Sequence, residues 1–183
     1  MPLEAVKVGL ALFGTVAGAL GACSVPFLFT RWPYVATTNK ALCDLREILK
    51  PLAKPTASFL DIGSGDGSVV ELAAMTGFGS SLGIESNPVL AFYSKWRLRK
   101  LRNATCLWGR YQNMNFSGID TVYVYGGEQI MTALGEKLTA ELKPGATIVC
   151  NSFPLPKPEN HIGKRCLFFI RRAGSLYIYR VQN

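Results

Sequence analysis

Between Thr38 and Lys50 the apolar residues Leu42, Leu45, Ile48 and Leu49 recur at helical spacing, and Pro51 ends the run. The residues before it, FTRWPYVATT, carry no such period. Beyond Pro51 the pattern alternates between short apolar runs and longer amphipathic ones. It predicts strands near Ala57–Ile62, Ser81–Glu85, Thr105–Trp108, Thr121–Gly126 and Thr147–Ser152, with helices at Ser68–Thr76, Pro88 to about Arg102, and Glu128–Leu142. Such alternation implies right-handed crossovers and a doubly wound, mostly parallel sheet. The tail, FFIRRAGSLYIYR at 168–180, reads as two strands turning at Ala173-Gly174, a C-terminal antiparallel hairpin. The expected fold is α/β, a Rossmann-like sheet of seven strands.

Residues 8–30, VGLALFGTVAGALGACSVPFLFT, have no charged side chain. At about 1.5 Å per residue they make a helix long enough for a bilayer core of roughly 30 Å. The expectation is an N-terminal hydrophobic helix within a membrane anchor or targeting segment at 1–30, followed by one domain at 31–183. A cleaved signal fits less well, because Glu4 and a lone Lys7 make a poor basic leader, although LGAC at 20–23 has a lipoprotein-like look. A buried core helix is the remaining alternative. Gly14 and Gly18 form G-x-x-x-G, a weak sign of close helix approach.

Hydrophobic residues make up 49% of the 183 and charged residues 17%, which excludes a disordered chain and suits one core. The net charge of +8 is compatible with nucleic acid, an anionic membrane or simple solubility. Five widely spaced cysteines without C-x-x-C support neither a disulfide framework nor a metal site, and read as reduced thiols.

The stretch FLDIGSGDGSVVELA, residues 59–73, falls at the first strand-to-helix turn, which in open α/β sheets lies nearest the ligand crevice. Gly63 and Gly65 strip side chains from that turn, and Gly67 lets it enter the helix. The spacing is G-x-G-x-G rather than the dinucleotide G-x-G-x-x-G, and Asp61 and Asp66 would repel a phosphate. A cationic or zwitterionic ligand follows. Glu85 ends the next strand, 24 positions beyond Asp61, where an acid can accept hydrogen bonds from ribose hydroxyls. Ribose without phosphate points to S-adenosylmethionine.

DIGSGDG together with Glu85 and Asn87-Pro88 resembles the first two motifs of class I S-adenosylmethionine-dependent methyltransferases. The wider layout, with PYVATT, LDIGSGDGSVV, GIESNPVL, EKLTAEL and SFPLPKP, is similar to the mitochondrial lysine methyltransferases that modify the c-subunit of ATP synthase or the adenine nucleotide translocase. The likeness spans about residues 30 to 158. It implies that Asp61, Gly63, Ser64, Gly65 and Asp66 frame the methionine end of the cofactor, Glu85 holds the ribose and Asn87 lines the adenosine side. It also implies a membrane-protein substrate with a target lysine, contact with lipid through residues 8–30, and a place in the inner mitochondrial membrane with the domain facing the matrix. A prokaryotic cytoplasmic membrane is the alternative. Where relatives carry Pro, Arg and Trp, this chain has Ala36, Ser152 and Lys157-Pro158, departures that spare the glycine turn.

Methyl transfer to lysine needs a neutral amine, whose ordinary pKa lies near 10.4, so a desolvating aromatic slot is expected. The catalytic candidates are Tyr125, Glu128 and Phe153 at the ends of the fourth and fifth strands, with Tyr34 as a further lining residue. Each also has a plain reading: sheet core for Tyr125, a charge favouring the helix dipole for Glu128, a packed turn for Phe153. The run KWRLRKLR at 95–102 raises nucleic acid as a rival target, with Trp96, Leu98 and Leu101 read as the packed side of a solvated helix. YGGE stands where base methylases carry Asn-Pro-Pro-aromatic, which argues against it. RNA or small-molecule methylation, or a non-catalytic membrane adaptor, are the alternative functions. No metal is expected, and the single histidine, His161, reads as exposed.

Overall fold

In the computed structural model, which describes residues 34–156 and 165–183, Thr38 starts the first helix. Its backbone is extended and its hydroxyl accepts the Ala41 amide at 3.3 Å, capping α1 (Asn39–Leu49). The elements then alternate as β1 (Ser58–Ile62), α2 (Ser68–Thr76), β2 (Ser80–Glu85), α3 (Pro88–Leu98), β3 (Ala104–Trp108), β4 (Thr121–Val124), α4 (Glu128–Glu141) and β5 (Thr147–Asn151). A hairpin of β6 (Cys166–Ala173) and β7 (Leu176–Gln182) closes the chain. The seven strands form one sheet in the order β3-β2-β1-β4-β5-β7-β6, parallel from β3 through β5 and antiparallel at the hairpin.

Alternation along the strands divides the core between two faces. Leu60, Ile62, Val122, Val124 and Ile148 pack under Met131, Leu134 and Leu138 of α4. Phe59, Tyr123 and Val149 point the other way, against Leu45 and Leu49 of α1 and Val69 and Leu72 of α2. Each fully buried side chain of this size contributes roughly 1.5–3 kcal/mol, so the two layers, not helix propensity, hold these short helices. At the β3 end, Val70, Ala91, Leu98 and Cys106 make a smaller cluster beneath α3.

Two expectations are corrected. The helix expected to run to Arg102 stops at Leu98, and the Leu101 amide turns back to the Leu98 carbonyl at 2.9 Å. The Asn103 side-chain amide donates to the carbonyls of Ala74 and Phe78 at 3.1 and 2.8 Å, pinning the chain to the end of α2 so that it can enter β3. Trp96 is not packed: Leu98 is buried, whereas Trp96 is 54% exposed with the Arg99 guanidinium 4.1 Å from its ring centre.

The apolar stretch 8–30, its expected helix and the boundary at residue 30 lie outside the described residues, as do Lys157-Pro158 and His161. Among the described residues no helix is long and apolar enough to cross a membrane. Tyr34–Asn183 forms one compact unit.

Candidate functional site

The strand order reverses between β1 and β4, since the chain leaves β1 toward β2 and returns to β4 on the opposite side. Crevices of open α/β sheets open at such a point, beyond the carboxyl ends of the strands. Here a cleft is lined by Asp61 near the end of β1, by Gly63, Ser64 and Asp66 in the turn after it, by Tyr123 and Tyr125 at the end of β4, and by Tyr34 and Thr37 from the lead-in.

The glycine turn after β1 is left-handed at Gly63, Gly65 and Gly67, with φ of 75°, 51° and 81°. Two of these glycines are also required by close neighbours. A Cβ on Gly65 would stand 2.2 Å from the Tyr34 ring, and one on Gly67 would stand 2.3 Å from the Ser94 hydroxyl. The Gly63 and Ser64 amides donate to the Ile84 carbonyl at 2.9 and 3.2 Å, tying the turn to β2. Ser64 turns its hydroxyl into the sheet, 3.3 Å from Cys106 Sγ, and so offers the cleft mainly backbone.

Glu85, at the end of β2, is 6% exposed. One carboxylate oxygen accepts the Gly65 amide at 2.9 Å, and the other accepts the Asn87 amide at 2.7 Å. Asn87 in turn caps α3, its Oδ1 accepting the Val89 and Leu90 amides at 2.9 and 3.3 Å. Glycine turn, acid and next helix are therefore one hydrogen-bonded unit.

The two aspartates of the turn differ sharply. Asp66 accepts the Ser68 amide at 3.1 Å and pairs with Arg97 at 2.7 Å, while the same guanidinium reaches Glu71 at 2.8 Å. Its charge is met. Asp61 is 2% exposed and has no hydrogen-bonding or ionic partner among the described residues. Burial pushes its carboxyl well above the usual range, and the nearby Glu85 and Asp66 carboxylates push it further. The cleft therefore holds a desolvated acid in search of a cation.

Across the sheet Asp61 is the register partner of Tyr123. The buried Tyr123 hydroxyl accepts from Asn151 Nδ2 at 3.0 Å and shares a hydrogen bond of 3.1 Å with Thr37 Oγ1. Asn151 Oδ1 accepts from Ser175 at 2.7 Å, so the lead-in, β4, β5 and the hairpin meet in one buried polar chain. Tyr34 lies over the turn, and burial first, then the Asp66 charge, push its phenol up to about 12.

Of the residues expected at the site, Tyr34, Asp61, Gly63, Ser64, Asp66 and Tyr125 line one cleft. Gly65, Glu85 and Asn87 sit in its floor through the bonds above. β4 ends at Val124 rather than Gly126, which leaves Tyr125 in the loop at the mouth. Glu128 is the exposed first residue of α4, and Phe153 is 36% exposed beyond β5, where Ser152 takes a left-handed φ of 67°. Neither lines the cleft. Sequence reading missed Thr37, Asn151 and Arg97 as members of the site and saw Tyr123 only as strand. Their partners lie 86, 28 and 31 positions away, beyond any local period. Among the described residues no cluster of His, Cys, Asp or Glu is arranged to hold a metal ion.

The family profile described as the ANTKMT methyltransferase domain matches residues 61–161. The chain is 33% identical over 167 residues to the ATP synthase C-subunit lysine N-methyltransferase of Xenopus laevis, covering 83% of this chain and 74% of that one. It is 28% identical over 127 residues to the adenine nucleotide translocase lysine N-methyltransferase of Mus musculus, covering 68% and 54%. In fold it is similar to an RNA methyltransferase from Salinibacter ruber in complex with S-adenosyl-L-homocysteine, with a TM-score of 0.64 at 22% identity over 80% of this chain and 92% of that one.

Proposed function

The chain belongs to the ANTKMT methyltransferase family, whose members are S-adenosylmethionine-dependent enzymes, and from that premise we propose how its own residues carry out methyl transfer to a lysine. The observation that carries the reading is Asp61, a buried carboxylate at the mouth of a bare glycine turn with no partner among the described residues. Such a group is costly unless a cation arrives, and the cofactor's methionine end carries an ammonium and a sulfonium. The donor set fits the rest of the cofactor: Gly63, Ser64, Gly65 and Asp66 supply backbone along the methionine end, Glu85 has lone pairs left for a ribose hydroxyl, and Asn87 lies on the adenosine side.

When bound, the cofactor supplies an electrophilic methyl group on sulfur. The protein's part is to bind, orient and dry the site, because positioning is the largest contribution available to such a displacement. Tyr34 and Tyr125 form the mouth through which an acceptor amine enters. Their rings desolvate it and favour its neutral form. Glu128 and Phe153 stand outside the cleft and would meet the substrate protein rather than the reacting atoms.

The substrate in this reading is a lysine of a membrane protein of the ATP synthase c-subunit or adenine nucleotide translocase type, since the relatives are named for those substrates. Residues 1–30 serve as the anchor and 31–183 as the catalytic domain, held at the inner mitochondrial membrane on the matrix side. The charge-free stretch 8–30 supports the anchor.

The test is transfer of labelled methyl from S-adenosylmethionine into membrane protein from cells lacking this enzyme. A hydrophobic band labelled by the parent chain and lost with folded Asp61→Asn or Glu85→Ala is the expected result. Label in RNA or small molecules alone, with none in protein, overturns the lysine assignment.

A further inference from the structure

The outward face of α3 is apolar where a solvated helix is polar. Val89, Phe92, Tyr93 and Trp96 follow the i, i+3, i+4, i+7 spacing, while Ala91, Ser94 and Leu98 face the sheet. Phe92, at 76% exposure, is the most exposed large apolar side chain among the described residues. The stripe is ordered, with Tyr93 and Trp96 rings 6.1 Å apart and the Arg99 guanidinium 4.1 Å from the Trp96 ring centre. It continues onto β3, the edge of the sheet: Trp108 is 72% exposed, and its indole N–H donates to the Ser86 carbonyl at 3.1 Å, which sets it beside the start of α3.

Charge frames this patch. From Ser86 to Gly118 the chain has six basic residues, Lys95, Arg97, Arg99, Lys100, Arg102 and Arg110, and no acidic one. Arg97 is committed to Asp66 and Glu71, whereas the other five are exposed and meet no carboxylate among the described residues. Aromatic and aliphatic side chains on one helix face, flanked by unpaired cations, match what an anionic bilayer surface offers: rings enter at headgroup level and cations meet lipid phosphates. Nucleic acid fits less well, because the stripe includes the aliphatic Val89 and stands on a helix's outer face rather than lining a groove. Trp108 and the start of α3 lie at the carboxyl ends of β3 and β2, the side on which the cleft opens.

We infer that α3 and Trp108 form a docking face for an anionic membrane surface, which sets the catalytic cleft toward the bilayer. The inference goes beyond attachment through residues 8–30 and does not depend on it. The two are separated by using the full chain with Trp32→Phe, in which Trp96 and Trp108 are the remaining two of three tryptophans. Flotation with vesicles reads attachment by any segment, and quenching of indole emission by brominated acyl chains reads this face alone.

With vesicles of phosphatidylcholine and phosphatidylserine, emission is quenched, and pure phosphatidylcholine restores it. Lys95→Gln with Lys100→Gln weakens docking roughly 30-fold, the loss expected for two cations at an anionic surface. These substitutions touch exposed side chains, and an unchanged melting temperature verifies the fold. Flotation without quenching overturns the docking face while leaving the anchor standing. Quenching by a single-stranded oligouridylate with none by lipid overturns it in favour of nucleic acid. A lipid-free dimer that Phe92→Ser dissolves overturns it in favour of a second copy.

Discussion

The Glu85 carboxylate accepts the amide of Gly65 at 2.9 Å, so the acid at the end of β2 braces the turn that follows β1. This gives Glu85 two duties, one toward the cofactor and one within the fold. Glu85→Ala leaves the Gly65 and Asn87 amides without acceptors in a buried site, at a cost of about 1–3 kcal/mol. The variant therefore melts several degrees lower and stays folded, and its affinity for S-adenosylhomocysteine falls by roughly 10- to 100-fold, as for a lost bond to a charged group. Calorimetric melting and titration check both. A variant that melts like the parent shows that the carboxylate does not hold the turn.

Gly63 and Gly65 separate conformational strain from crowding. Both are left-handed, but a Cβ at Gly63 meets nothing within 4 Å, whereas one at Gly65 strikes the Tyr34 ring. Gly63→Ala should cost only the strain, about 1–2 kcal/mol. Gly65→Ala should cost more and expel Tyr34. In a double-mutant cycle, Tyr34→Ala relieves part of the Gly65→Ala penalty and none of the Gly63→Ala penalty. Equal penalties with no coupling would show that the Tyr34 ring does not rest on the turn.

The strands were legible because short apolar runs bounded by glycine, proline and polar residues are a local signal, and the central strands are buried on both faces. All seven begin or end within about two residues of the pattern's limits, and the hairpin turns at Gly174 as Ala173-Gly174 suggested. The glycine turn was legible too, since few residues besides glycine adopt φ values of 51° to 81°. What stayed hidden were pairings set by the sheet order. Asp61 and Asp66 look alike in DIGSGDG, yet Arg97, 31 positions on, neutralises one and leaves the other alone. Trp96 looked like packing because spacing gives the width of an apolar stripe and not which side of it meets the sheet.

Asp61 gives the fold and the cofactor opposite pH dependences. Its carboxyl is raised by burial, then by Glu85 and Asp66. A raised group contributes stability that is fully present below the ordinary carboxyl pKa and is lost as pH rises through the raised value. The free protein is thus least favoured near neutrality on this account, and Asp61→Asn should raise its melting temperature there, with about 2–4 °C for each kcal/mol regained. Below the ordinary carboxyl pKa the two proteins should melt alike. Cofactor affinity moves the other way, rising with pH in the parent as Asp61 ionises, and being low and flat in Asp61→Asn. Melts and titrations across pH measure both arms. An Asp61→Asn chain less stable than the parent at neutral pH contradicts the isolation of this carboxylate.

The Tyr123 hydroxyl joins the lead-in to the sheet, and its removal should loosen one without unravelling the other. Tyr123→Phe keeps the ring that packs against α1 and α2 but deprives Asn151 Nδ2 of its acceptor and Thr37 of its hydroxyl partner. Asn151 is 3% exposed, so the orphaned amide costs about 1–3 kcal/mol. Thr37→Val breaks the same bond from the other side. Because both substitutions break one bond, the double variant should cost less than their sum. The local consequence is sharper than the global one. Tyr34 reaches the glycine turn through a lead-in whose described anchorage to the sheet is the Thr37–Tyr123 bond, so amides at 35–38 should exchange faster in Tyr123→Phe while those of β1 and β4 stay protected. S-adenosylhomocysteine should then dissociate faster with its association rate little changed, as expected when a cover is loosened and the floor beneath it is intact. Unchanged exchange at 35–38 would show that the lead-in is held by something other than this hydroxyl.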